Sequence, residues 1–111
     1  MIMAASQNLD SLALNTMASG HVCLNLTERI SWEEFPAFAE RFVPAIRGEI
    51  TGKSDGVDLR LWEVTIDAQP LRFVFDDFPV MVSLESPNDK GDEILKRIYG
   101  ELAKHLTKGA S

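Results

Sequence analysis

The sequence predicts an α+β protein: a two-layer sandwich with two helices on one face of an antiparallel sheet of four to five strands, in the order β(β)αβββα. Three observations point there. Runs with period-two apolar alternation cluster at residues 12–26 and 57–85, and period two marks a strand with one buried face. Two segments, opening near Ser31 and Ser86, carry apolar residues at helical spacing behind capping residues. Three consecutive strands with short turns make a meander, on which amphipathic helices bury their stripes.

Residues 1–8 are small, polar and aperiodic, and read as a flexible terminus; 9–108 read as one domain. Leu12 and Leu14 alternate, as do Val22, Leu24 and Leu26, so a hairpin is expected to turn near Ser19-Gly20. In ISWEEF, Ser31 and Glu34 have capping-box spacing, with Ile30 and Phe35 as the hydrophobic staple. Phe35, Phe38, Ala39, Phe42, Val43 and Ile46 then form one helical stripe. Pro44 should kink or end that helix, and Gly48 is a natural stop.

Residues 51–56 read as a loop before the strands at 57–66, 71–75 and 80–85. In the first strand Val57, Leu59 and Leu61 alternate, and then Trp62, Val64 and Ile66 alternate on the opposite parity. That switch suggests a bulge near Leu61-Trp62, or a segment covered on both faces. The last helix opens at SPND with Ser86 or Asp89 as its cap and Pro87 at its first position. Its stripe is Ile94, Leu95, Ile98, Leu102 and Leu106.

The chain has 111 residues, 45% apolar and 25% charged, which suits a single globular domain. One cysteine, Cys23, excludes an internal disulfide framework and a multi-cysteine zinc site. No run approaches the ~18 apolar residues of a membrane span, and the N-terminus lacks the basic region of a secretory signal. The expected setting is cytoplasmic, with no membrane association. A net charge of −6 argues against nucleic-acid binding, which depends on cations neutralising phosphates.

Motifs with chemistry are sparse. Asp76-Asp77 falls at a strand end, where adjacent side chains diverge, and reads as a turn corner rather than an acid–base pair. GEITGKS (48–54) has one residue too few for a phosphate-binding loop and sits between a helix and a strand, the reverse of the required order. TGKSDGVDLRLWE fails as a calcium loop, because Thr51, Lys53 and Trp62 stand where acidic ligands belong. His21 and Cys23, two apart in a strand, share a face as a nucleophile pair or half a metal site would, but a lone cysteine is more often a small hydrophobe. Catalytic, metal and cofactor residues are therefore expected to be none.

The open face of the sheet is the informative feature. With Leu71, Phe73, Phe75, Val80, Val82 and Leu84 facing the helices, the other face offers Val74, Met81 and Cys23, with Trp62 if the parity switch places it there. Such a face meets a partner, a second copy, or the protein's own N-terminal segment. The span GVDLRLWEVTIDAQPLRFVFDDFPVMVSLES, with the helix from Trp32 before it, resembles a family of short bacterial proteins of unknown function over residues 22–106, carried by the spacing of Gly56, Asp58 and Trp62 and a strand pair ending at Leu84-Glu85. The resemblance implies a bacterial cytoplasmic protein and no catalytic residues. The expected function is a non-enzymatic interaction module or adaptor, a homodimer or the partner of another protein. The alternative is a small-ligand binder or weak enzyme with a pocket between the first helix and the sheet, with Trp62, Arg60 and Glu63 at its rim.

Overall fold

The structure is a computed structural model that describes residues 9–77 and 79–110, and the side chains of that range up to residue 104. The expected flexible segment 1–8, Phe78 of the predicted turn, and the Leu106 side chain of the helical stripe lie outside it. Six strands form one antiparallel sheet: β1 (Ala13–Thr16), β2 (Val22–Thr27), β3 (Gly48–Gly52), β4 (Leu59–Ile66), β5 (Gln69–Asp77) and β6 (Val80–Glu85). Their spatial order is β1-β2-β6-β5-β4-β3. Helix α1 (Phe35–Ala45) links β2 to β3, and α2 (Asp89–Ala110) follows β6. The α+β class and the two helices are as expected; the sheet has one strand more.

The extra strand is β3. Its sequence, GEITG, holds only Ile50 and Thr51 as strand formers, too little to signal a strand. Among the described residues it lies at the sheet edge and pairs with β4 alone, with a register shift between Ile50 and Gly52. Gly48 is its first residue, not the helix stop. The chain leaves α1 through Arg47, at φ 65°, shortly after Pro44 and Ala45. Gly48 is small for packing reasons: a Cβ there would meet Ile66, Val43 and Val64 methyl or methylene carbons at 3.0–3.2 Å.

The capping box forms. The Glu34 amide donates to Ser31 Oγ at 3.2 Å, and the Ser31 amide donates to Glu34 Oε1 at 2.8 Å. It closes the turn leading into α1, which itself begins at Phe35 with Pro36 in its first turn. At α2 the cap is neither Ser86 nor Asp89 but Asn88, whose Oδ1 accepts the Gly91 amide at 2.9 Å. Ser86 supports it by donating to the Asn88 carbonyl at 2.7 Å.

Both helices pack on the same side of the sheet. Phe35, Phe38 and Phe42 of α1 and Ile94, Leu95, Ile98 and Leu102 of α2 share one core with Leu24, Trp62, Val64, Leu71, Phe73, Phe75, Val82 and Leu84. Phe35 sits at its centre, with ring centroids 4.9 Å from Trp62, 5.1 Å from Phe73 and 5.4 Å from Phe75. Trp62 is therefore a core residue and not part of the open face. The parity switch has a different cause from the bulge expected of it. β4 and β5 pair in unbroken register from Leu59↔Asp76 to Ile66↔Gln69. Arg60, not an apolar residue, holds the core-side place beside Trp62, which leaves Leu59 and Leu61 pointing the other way.

Candidate functional site

Arg60 is 8% exposed. Its guanidinium lies 4.0 Å from the Trp32 ring centroid, donates to the Trp32 carbonyl at 3.0 Å and pairs with Asp55 at 2.8 Å. The Trp62 indole donates to the same carboxylate at 2.9 Å, and with Arg60 beside it this holds Asp55 below the usual carboxylate range. The arrangement ties the β3–β4 hairpin to the turn before α1, with Arg60 Nε buried and without a hydrogen-bond partner among the described residues. Glu63 is three positions from Arg60 and so stands on the opposite face, where it accepts from Thr51 Oγ1 at 2.8 Å. The expected pocket rim of Trp62, Arg60 and Glu63 does not form, because strand alternation separates its members.

His21 and Cys23 also part. His21 Nδ1 lies 2.9 Å from Asp92 Oδ2 at the start of α2, and the Val22 amide donates to Asp92 Oδ1 at 3.0 Å. The imidazole and that amide draw the Asp92 carboxyl down to about 2, and the carboxylate raises the His21 ring above its ordinary value. Asp89 is 3.9 Å away. The ligand atoms of His21, Asp89 and Asp92 lie within 4.8 Å of one another, but Asp92 is engaged on both oxygens and the positive end of the α2 dipole opposes a cation there. The trio pins the β1–β2 hairpin to α2. Cys23 contacts Asn25 Oδ1 at 3.9 Å instead, and burial, with Glu85 adding to it, pushes its thiol up and away from the reactive thiolate. Asp76 and Asp77 are the last residues of β5, opposite Met81 and Val80, and make the corner expected of them.

The sheet face turned from both helices is a further candidate. Register partners share a face, so one row across it reads Leu61, Val74, Ser83, Asn25, Ala13, without a charge. On one side of that row stand Leu59, Asp76 and Met81; on the other, Glu63, Arg72, Glu85 and Cys23. Val74 is 7% exposed, while Leu61 is 40% exposed. Val57, at the tip of the β3–β4 hairpin that leads into Leu59, is 99% exposed. Leu59, Leu61 and Val57 escape a reading that assigns apolar alternation to the core; the signal that finds them is Arg60 among them.

Residues 12–102 match the family described as a protein of unknown function, DUF3630. The chain belongs to that family. No curated protein and no solved structure matches it. Among the described residues, no helix is long and apolar enough to cross a membrane.

Proposed function

We propose that this DUF3630 chain is a non-enzymatic interaction module of the bacterial cytoplasm that pairs with a second copy of itself through the open face of its sheet. The observation that carries the reading is the contiguous apolar group Leu59, Leu61, Val74 and Met81 on the face away from both helices. Of these Leu61 is exposed and Leu59 and Met81 are half-buried, and apolar side chains left partly in water add less to folding than they would once covered. Six strands at ~4.8 Å spacing, averaging about six residues at ~3.3 Å, make a face of roughly 480 Å² before side-chain relief, the order of the ~800 Å² each partner hides in a stable complex. The sheet edges offer less. β1 has four residues, and β3 has five with a register shift and Lys53 just beyond it, features that discourage edge pairing.

Light scattering at tens of micromolar tests this. The wild type should run at twice the 12.4 kDa of the chain. Leu61→Glu with Met81→Glu should run at the single-chain mass with unchanged helical circular dichroism, because the first sets a carboxylate in the uncharged row, where it loses water without gaining a partner, and the second adds another beside Asp76. A wild type that is monomeric at that concentration overturns the reading.

A further inference from the structure

Charge placement on the open face selects how two copies meet. Along β5, Arg72 and Asp76 flank Val74 at two residues on either side, and all three point to the open face. Two sheets packed face to face around a two-fold axis have two simple arrangements, with the axis in the plane between them either along the strands or across them.

An axis along β5 keeps each row in place. It sets Arg72 on Arg72, Asp76 on Asp76 and, twice by symmetry, Glu63 on Glu85, four like-charge contacts. An axis across β5 above Val74 reverses the rows. Val74 then meets Val74, Leu61 meets Leu61, and Arg72 of each copy faces Asp76 of the other, twice by symmetry. Glu63 and Glu85 then stand over Leu59 and Met81, a costly contact for a carboxylate that their register neighbour Arg72 partly offsets, but neither meets another carboxylate. The uncharged row, with Leu61 as its exposed apolar member, lies on itself along the axis, so no charge is brought to the centre. Arg72, 3.8 Å from Glu85 within its own chain, carries the only positive charge among the open-face positions of β4, β5 and β6. The choice of axis turns on it.

Resting on the homodimer reading, we infer that the dimer axis crosses β5 above Val74 and that reciprocal Arg72–Asp76 contacts between the copies fix its register. Like charges brought together across an interface weaken it, and complementary ones set its register.

Sedimentation of charge-reversed variants tests this. Arg72→Asp and Asp76→Arg should each weaken self-association by about tenfold or more, with the fold intact by circular dichroism. The double variant, which restores opposite charges across the axis, should return to near wild-type association. An equal mixture of the two single variants should also regain the dimer mass, as one copy then presents two carboxylates and the other two guanidinium groups. With the axis along the strands, each single reversal would leave a like-charge pair as it was. Single variants that dimerise like a dimeric wild type, or a double variant no better than the singles, overturn the inference and leave the homodimer standing. A monomeric wild type removes both.

Discussion

Ala68 and Asp67 occupy the two-residue turn between β4 and β5 at φ 64° and 52°, where an L side chain crowds its own backbone. Asp67 tolerates this better than Ala68 and is also held by Arg97 at 2.9 Å. Ala68→Gly should therefore stabilise the protein by about 1 kcal/mol, read as a higher urea midpoint at unchanged slope. The opposite exchange at Gly48 should do the reverse. Its added methyl would press on Ile66, Val43 and Val64, and Gly48→Ala should cost about 1–3 kcal/mol. An unchanged midpoint for Gly48→Ala would show that α1 can move away from β3 freely. The sequence signals a glycine stop here because glycine commonly ends helices; it carries no sign that Arg47 takes the left-handed conformation and frees Gly48 for packing.

Among the elements, α1, α2 and the β5–β6 pair are legible in the sequence because each buries a regular stripe. β3 is not, since an edge strand with one neighbour needs few apolar residues. β4 suggests a bulge because a buried arginine, stacked on Trp32, imitates a solvent-facing position. Two tests belong at this scale. Gly100 is exposed within α2, and a Cβ added there would meet nothing within 4 Å; Gly100→Ala should add up to about 1 kcal/mol of stability, read as a higher urea midpoint. The pin between the β1–β2 hairpin and α2 should give a pH profile. Asp92 has a depressed folded pKa of about 2, so its contribution is present above the ordinary carboxylate value and fades as pH falls toward 2. His21 has a raised one, so its contribution is complete below 6.5 and is lost as pH rises through the folded value. Stability should peak between about pH 4 and 6.5. Asp92→Asn should flatten both limbs of that profile, and an NMR titration should place the His21 midpoint above 6.5. A midpoint no higher than that would mean that the imidazole is not held by Asp92 in solution.

For the whole molecule, the open face is legible as a set of positions and not as a pattern. Val74, Met81 and Cys23 follow from alternation alone, whereas the charge-free row from Leu61 to Ala13 exists only once five strands are laid side by side. If that row is an interface, folding and association are coupled, and the thermal midpoint should rise with protein concentration because the second copy binds only the folded chain. Leu61→Glu with Met81→Glu should remove that dependence. Ionic strength gives a sharper test. Each copy carries −6 and measures 40 × 30 × 25 Å. In 0.01 M salt the screening length is about 30 Å, so the copies repel through their full net charge; at 0.15 M it is about 8 Å, and only groups near the interface are felt. The Arg72–Asp76 contacts lie inside that shorter range. Self-association should accordingly be weaker at 0.01 M than at 0.15 M, measured by sedimentation at matched concentrations. Association that tightens as salt is removed would mean that local opposite charges outweigh the net repulsion, and that the acidic surface lies away from the interface more fully than the placement of Glu63, Asp76 and Glu85 implies.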